Sequence, residues 1–198
     1  MGTNGTLITD ETAAKLKDIP ISRLGVSLDF PVANLQDDFR GKAGAFEAAL
    51  TGIANARQAG IEVQINSTIT QRNAPYLNEL LALALTMGAV AFHPFLLVPT
   101  GRGKGLESVA LSPEQYEATL NWIYDKQVEL GDRMFFKPTD APHYLRVMKQ
   151  RQKPAGEIDS ATKSESVPHN PAHSVTRGCL AGIGFCFISY CGVVQGCG

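Results

Sequence analysis

The sequence predicts an α/β protein with parallel strands, and three observations lead to that class. Between residues 24 and 130, a strand pattern followed by a helix pattern occurs three times, which is typical of parallel strands with right-handed crossovers. Apolar residues make up 44% of the 198 residues and charged residues 19%, as in a globular protein. The net charge of −1 provides no global attraction to nucleic acid or to an anionic membrane, so both are excluded as expected partners.

The first two strand–helix units are marked by hydrophobic periodicity and by residues typical of helix ends. Residues 24–29 are predicted as a strand, and residues 45–59 as a helix with one apolar face. Residues 61–68 are predicted as the second strand. Asn73 is expected to cap the helix that follows, and Gly88 is expected to end it.

The third unit combines a strand over residues 89–98 with a strong helix start. Ser112 has the side chain of a helix cap, Pro113 suits the first helical position, and Gln115 completes a capping box. His93 lies in the middle of the strand. An isolated histidine there is more often a packed core residue than a catalytic group, and both alternatives stay open.

The composition divides the chain into four predicted segments. Residues 1–132 hold the strand–helix units, and residues 133–152 form a short strand and a basic helix. Residues 153–176 are rich in proline and serine, which predicts a linker or mobile loop. Residues 177–198 form a cysteine-rich tail.

Polar side chains occupy one face of the first two predicted strands, because residues alternate between the two faces of a sheet. The apolar face is expected to meet the helices, so the polar face is expected to line a barrel or cleft. Such convergence predicts a bound polar ligand near the carboxyl ends of the strands; the alternative is the solvated face of an open sheet. The polar set comprises Gly25, Ser27 and Asp29 in the first strand and Glu62, Gln64, Asn66 and Thr68 in the second.

All four cysteines lie in the last twenty residues, at Cys179, Cys186, Cys191 and Cys197. The chain has no secretory signal segment, so a cytoplasmic location is expected and a disulfide framework is disfavoured. Clustered thiols in that setting favour a metal ion or an iron–sulfur cluster. Structural zinc is the weaker alternative because the C-x2-C spacing is missing.

Several motifs together resemble radical S-adenosylmethionine (SAM) enzymes, over nearly the whole chain apart from the linker. They are TNGT at 3–6, GVSLD at 25–29, FRG at 39–41, QINS at 64–67 and LVPTGRG at 97–103. The tail resembles the start of the SPASM extension, which holds auxiliary 4Fe–4S clusters: Cys179, a spacer of a dozen residues, then Gly192 ahead of Cys197. The branch it resembles most is that of haem and haem d1 biosynthesis; the enzymes that mature peptides or coenzyme PQQ are more distant.

This resemblance implies a partial (β/α)6 barrel over residues 1–132 that holds S-adenosylmethionine against a 4Fe–4S cluster. The expected chemistry is a 5′-deoxyadenosyl radical that abstracts hydrogen from a tetrapyrrole haem precursor, or from a peptide in the alternative. Asn4, Ser27, Asp29 and Asn66 are expected to bind the cofactor, and no residue is assigned a catalytic role. Cys179, Cys197 and Cys186 are the expected metal ligands, and a ferredoxin or flavodoxin is the expected electron donor.

The sequence departs from the family pattern in its cluster motif. It has no C-x3-C-x2-C triplet, and Asp140 stands where haem-branch relatives carry a cysteine. We therefore expect a fragment of a longer enzyme that is inactive alone and leaves an unpaired sheet edge at residues 25–29. The alternative of another class is a non-catalytic module that binds an iron–sulfur cluster or zinc.

Overall fold

The structure is a computed structural model that describes residues 1–19, 21–99, 101–151, 186–189 and 191–196. The chain divides into two units, Met1–Ala155 and Gly156–Gly198. The predicted linker and most of the cysteine-rich tail lie outside the described residues. None of the described helices has the length and the apolar composition that crossing a lipid bilayer requires.

The first unit is built on an open sheet of five strands in the order β1-β2-β3-β4-β5, all of them parallel. This arrangement confirms the predicted α/β class. The strands are β1 (Gly2–Thr3), β2 (Leu24–Ser27), β3 (Val63–Ile69), β4 (Ala91–Leu96) and β5 (Phe135–Phe136).

Helices connect the strands. They are α1 (Asp10–Lys17), α2 (Ala33–Arg40), α3 (Ala45–Gln58), α4 (Leu77–Thr86), α5 (Pro113–Leu130) and α6 (Tyr144–Arg151). Short 3-10 segments cover Ala74–Tyr76, Gly101–Val109 and Gly131–Arg133. In the second unit, β6 (Phe187–Ile188) and β7 (Val194–Gln195) pair as an antiparallel hairpin.

The hydrophobic core lies between one face of the sheet and the helices. Apolar side chains from alternate strand positions meet the apolar faces of α3, α4 and α5, as their periodicity predicts. The fully buried members include Leu24, Val26, Ile65 and Ile69 from the strands, Leu28 just after β2, and Ile53, Ala56, Leu80, Ala84, Leu120 and Ile123 from the helices.

The outer layer includes a tryptophan that joins two helices to the sheet. Trp122 of α5 packs edge-on against Phe92 of β4, with 6.4 Å between ring centroids. Its indole N–H donates to Asn78 Oδ1 of α4 at 2.9 Å. The contact therefore fixes α5 beside α4 over the fourth strand.

The predicted start of α5 is confirmed and the predicted cap of α4 is wrong. Ser112 Oγ accepts from Gln115 N at 3.2 Å and Gln115 Oε1 accepts from Ser112 N at 2.9 Å, which is the reciprocal capping box. Asn73 forms no side-chain cap. Its amide instead donates to the carbonyl oxygens of Asp29 and Thr68, so it joins β3 to the end of β2.

The loop after β1 touches α3 through glycine. A Cβ atom built on Gly52 would lie 2.1 Å from the carbonyl oxygen of Gly5, a distance that no side chain tolerates. Gly5 itself has a φ of +77°, in the region that favours glycine. These two residues therefore set how closely α3 approaches the loop.

The expectation of an unpaired sheet edge at residues 25–29 is corrected at two positions. Gly2 and Thr3 of β1 pair with Gly25 and Val26, so β1 covers the two middle residues of β2. Two residues carry no hydrophobic periodicity, so the residue pattern alone does not reveal this short strand.

Candidate functional site

The sheet face opposite the helices, called the inner face here, carries the polar residues of the strands. Burial alternates strictly along β3, where Gln64, Asn66 and Thr68 are partly exposed and the residues between them are buried. Ser27 and His93 occupy the matching half-exposed positions of β2 and β4. The predicted division into an apolar and a polar face is confirmed.

Three of these residues form one row across the sheet. The strand register pairs Ser27 with Asn66 and Asn66 with His93. Gln64 Nε2 donates to Asn66 Oδ1 at 2.6 Å and also contacts His93 Nδ1 at 2.9 Å. The structure therefore brings Ser27 and Asn66 together and connects them to His93.

A cavity of about 450 Å³ opens on the inner face beside Asn66 and extends towards the amino end of β2, so Ser27 and His93 are not among its lining residues. Gly2 and Gly25 pair across β1 and β2, and a Cβ atom on Gly25 would lie 2.7 Å from Asn66 Nδ2. Because both positions lack a side chain, the Asn66 amide and the cavity share the space above them. The lining residues are Met1, Gly2, Ile21, Ser22, Arg23, Gly25, Gln64 and Asn66.

Asp29 lies beyond the end of β2 and is fully buried. Its Oδ1 accepts from Thr68 N at 2.9 Å, and its Oδ2 forms an ion pair with Arg40 of α2. Burial raises the pKa of the Asp29 carboxyl, and the charge of Arg40 opposes that rise. Both carboxyl oxygens therefore have partners within the chain.

Two further residues complete the carboxyl edge around Asp29. Gln36 Oε1 accepts from the backbone N–H groups of Asp29 and Phe30 at 2.9 and 3.0 Å. Asn73 Nδ2 donates to the Asp29 carbonyl oxygen at 3.0 Å. Sequence reasoning did not identify Gln36 or the role of Asn73, and Arg40 was included only as part of the FRG motif at 39–41.

Asn4 is the first residue after β1, at the same carboxyl edge as Ser27, and is exposed. Its Oδ1 accepts from both the backbone N–H and the hydroxyl of Thr6 at 3.1 Å. Asn4 therefore shapes the loop after β1 through its side-chain oxygen.

Among the described residues, only Nδ1 of the two imidazole nitrogens of His93 has a hydrogen-bond partner. Its Nε2 is shielded from solvent and has no hydrogen-bond partner among the described residues, and its ring meets Phe135 edge-on at 5.6 Å. Burial lowers the pKa of His93 to about 4, and the charges of Lys137 and Arg23 add to the effect. The ring is therefore neutral at physiological pH.

The basic helix α6 is tied to α5 by ion pairs. Arg146 pairs with Glu117, and Arg151 pairs with Asp125. Just before this helix, Asp140 is exposed and adopts a φ of 57°, with its carbonyl oxygen accepting from the Tyr116 hydroxyl at 3.2 Å.

Two of the cysteines are described, and both are free and exposed. Cys186 precedes β6, and Cys191 lies in the turn of the hairpin. A hydrogen bond from Ser189 lowers the pKa of the Cys191 thiol, and a backbone bond from Val193 adds to this. Cys179 and Cys197 lie outside the described residues. Within the described part of the chain, no three His, Cys, Asp or Glu side chains could hold a metal ion together.

The fold and the polar inner face define the class of protein. Residues 1–81 match the radical SAM superfamily, and the α/β chain belongs to that superfamily. Its characteristic cofactors are S-adenosylmethionine and a 4Fe–4S cluster.

Sequence comparison with individual proteins shows which members of the superfamily this chain is similar to. The chain is 45% identical over 199 residues to the AdoMet-dependent haem synthase of Oleidesulfovibrio alaskensis, covering 98% of this chain and 48% of that protein. It is 31% identical over 206 residues to the Fe-coproporphyrin III synthase of Methanosarcina barkeri, covering 98% of this chain and 48% of that protein. The chain thus spans about half the length of these relatives.

A solved structure shares the fold. The structure of anSMEcpe with bound AdoMet and a Cp18Cys peptide superposes with a TM-score of 0.56 and 20% identity, over 68% of this chain and 39% of that one. This likeness supports the α/β arrangement of the first unit.

The residues present fit one of the two family cofactors. A glycine-floored cavity lined by the Gln64 and Asn66 amides suits a polar nucleoside derivative such as SAM, because amides can both donate and accept hydrogen bonds. The chain has no cysteine before Cys179 and no C-x3-C-x2-C triplet. Its residues therefore do not fit the family's SAM-cleaving cluster.

Proposed function

We propose that this chain forms the SAM-binding and substrate-facing part of a radical SAM enzyme that modifies a side chain of a haem precursor. The observation that carries the proposal is the row of Ser27, Asn66 and His93 on the inner face, in which Gln64 bonds to Asn66 and His93 and Asn66 lines a glycine-floored cavity. This row lies in a chain that is 45% identical to a haem synthase over nearly all its length. When bound, SAM supplies the 5′-deoxyadenosyl group that takes hydrogen from the substrate.

The chain's own residues bind and orient the cofactor in this proposal. Ser27 and Asn66 offer a hydroxyl and an amide side by side on the inner face, and Asn4 borders them at the carboxyl edge. Asp29 has its carboxyl oxygens committed to Thr68 and Arg40, so its proposed contribution is to hold the ends of β2 and β3 in position. The apolar layer behind the sheet excludes water from that side.

Binding of SAM to the chain tests these roles. Ser27→Ala and Asn66→Ala should each weaken binding several-fold, since a lost hydrogen bond is worth about 0.5–1.5 kcal/mol. Ser67→Ala is the matched control, because Ser67 is the neighbour of Asn66 on the opposite, fully buried face. Equilibrium dialysis with labelled SAM measures each dissociation constant. Equal weakening by Ser67→Ala would contradict the assignment of the inner face.

The haem-precursor substrate is tested in a chimera. This chain replaces the matching segment of the Oleidesulfovibrio alaskensis haem synthase, whose other half is retained. We expect SAM-dependent haem formation by the chimera, and its loss on Asn66→Ala. A folded chimera that binds iron and cleaves SAM but forms no haem would refute the proposed substrate.

Cys179, Cys197 and Cys186 are proposed as ligands of an auxiliary 4Fe–4S cluster that exchanges electrons with a ferredoxin or flavodoxin. The exposed, unbridged thiol of Cys186 supports its inclusion. Iron and sulfide are counted after anaerobic reconstitution of the chain and of each cysteine-to-alanine variant. We expect large losses for Cys179→Ala and Cys197→Ala and little change for Cys191→Ala. Identical iron content in all variants would reject the ligand set.

A further inference from the structure

His93 has a hydrogen-bonding group on the inner face that the proposed SAM contacts do not use. Gln64 Nε2 is shared between Asn66 Oδ1 and His93 Nδ1, at 2.6 and 2.9 Å. With the amide nitrogen as donor to both, His93 Nδ1 accepts, and the ring carries its proton on Nε2. The sheet therefore fixes the tautomer and presents Nε2–H as a donor.

This donor is buried without an acceptor among the described residues. Leaving a buried N–H unpaired is unfavourable by about 1–3 kcal/mol, so native proteins rarely retain one without a ligand or a functional reason. The ring cannot easily turn to find another partner, because Gln64 holds Nδ1 and Phe135 packs against the ring edge-on. An acceptor atom of a bound ligand would satisfy this donor.

The charges around His93 define that acceptor further. Lys137 N bonds to the Phe92 carbonyl oxygen at 3.4 Å, which extends the β4–β5 pairing. Lys137 lies two residues after Phe135, so it shares the face on which Phe135 meets His93. Lys137 is exposed and has no ion-pair partner among the residues that the structure describes, whereas Arg23 is paired with Glu62. A neutral N–H donor beside an unpaired ammonium complements an anionic oxygen.

We propose that His93 Nε2–H and Lys137 bind a carboxylate of the ligand held on the inner face. The identity of that ligand rests on the proposed function and has two sources. One is the acidic side chain of a tetrapyrrole substrate, and the other is the amino-acid carboxylate of SAM. Both offer the same chemistry to the imidazole and the ammonium.

Two matched pairs of probes test the contact on the full chain. The first pair is iron coproporphyrin III and its methyl ester, followed by absorbance in the Soret band. The second pair is SAM and decarboxylated SAM, followed by equilibrium dialysis. Each probe is titrated against the wild type, His93→Phe and His93→Gln. Phenylalanine keeps the ring and loses the N–H donor, whereas glutamine restores an N–H donor.

We expect His93→Phe to weaken binding of one carboxylate probe about tenfold and to leave its partner without a free carboxylate unaffected, with partial recovery in His93→Gln. Loss with the porphyrin pair assigns the contact to the substrate, and loss with the SAM pair assigns it to the cofactor. Nitrogen NMR of the histidines supplies a second measurement, because ligand binding should shift His93 Nε2 while Nδ1 stays an acceptor.

Three results would overturn the proposal. They are unchanged affinity for both acids in a folded His93→Phe, equal losses for acid and ester, and no binding of any probe by the wild type. In the first case, retained porphyrin binding leaves the haem-precursor function standing. If the chain binds SAM but no porphyrin, the result counts against the haem-precursor function. The comparison of SAM with decarboxylated SAM then still tests whether His93 contacts a carboxylate.

Discussion

Asp29 is the residue on which the carboxyl edge of the sheet depends. Its buried carboxyl connects β2 to Thr68 of β3 and to Arg40 of α2. Removing two charges from water is unfavourable, and the raised pKa of Asp29 shows that burial outweighs the attraction of Arg40. The pair therefore fixes geometry more than it adds to the free energy of unfolding.

That balance predicts unequal effects for the two partners. Arg40→Met should lower the free energy of unfolding by about 3 kcal/mol at pH 7, because it leaves a buried carboxylate without a counter-charge. Asp29→Asn should lower it by less than about 1 kcal/mol, since an amide keeps the bond from Thr68 N and avoids burying a charge. Urea unfolding measures both values.

The double variant Asp29→Asn/Arg40→Met provides the control. It should regain most of the stability that Arg40→Met loses, because no unpaired charge remains. Additive losses would show that the two side chains contribute independently and are not coupled as an ion pair.

His93 predicts a pH dependence of stability. Its pKa is lowered from 6.5 to about 4 in the folded chain, so the unfolded state takes up a proton first as the pH falls. The stability that the neutral ring contributes is present above about pH 6.5 and is lost progressively as the pH falls towards 4. Between pH 7 and pH 5 the expected loss is about 1–2 kcal/mol.

The variant His93→Gln isolates this contribution. Its free energy of unfolding should change less than that of the wild type between pH 7 and pH 5, by about the same 1–2 kcal/mol. Denaturant unfolding at a series of pH values compares the two slopes. Parallel slopes would mean that His93 is protonated as readily in the folded chain as in the unfolded chain.

Among the elements, α3 makes a close backbone contact with the loop after β1. The approach of Gly52 to the Gly5 carbonyl oxygen brings this helix against the turn that holds Asn4. A methyl group at position 52 would have to push backbone away from backbone, since no flexible side chain lies between them.

Gly52→Ala should therefore destabilise the chain by about 1–3 kcal/mol and weaken SAM binding through the displaced loop, although alanine favours helix formation. Thr51→Ala is the control, because Thr51 is an exposed neighbour in the same helix. Thermal melting and SAM dialysis are measured on both. A stabilised Gly52→Ala would show that the helix moves at no cost.

The strength of local signals decided which elements could be predicted. The apolar faces of α3 and α4 and the capping box of α5 are encoded in neighbouring residues, so periodicity and cap chemistry found them. The sequence reading missed α1 and α2, where single residues, Ala13 and Gln36, are the fully buried positions. Helices that bury so little leave no apolar stripe to recognise.

The same reasoning applies to the site. Alternation along β3 predicted that Asn66 shares a face with Ser27, because that information is local and has a period of two. The contacts around Asp29 join positions up to 44 residues apart, so only the folded chain reveals Asn73 as their partner. The unpaired Nε2–H of His93 could not be predicted either. Its tautomer depends on the contact with Gln64 of the adjacent strand, and residues next to His93 in the sequence do not encode that contact.

The whole first unit should respond to its cofactor. SAM at a hundred times its dissociation constant adds about 2.7 kcal/mol to the free energy of unfolding if it binds the native chain alone. For a protein of this size the melting temperature then rises by about 5–10 °C. Scanning calorimetry should show this rise in the wild type and in Ser67→Ala, and a smaller one in Asn66→Ala. An equal rise in Asn66→Ala would place the cofactor away from Asn66.

The sequence contains a single tryptophan, so tryptophan fluorescence reports on one part of the fold during unfolding. Trp122 spans α4, α5 and β4 on the helix-covered side, through Asn78 and Phe92. Its emission should red-shift when that layer separates and the indole becomes hydrated. Intrinsic fluorescence of the chain is thus a reporter of helix docking, and no dye or added label is needed to follow it.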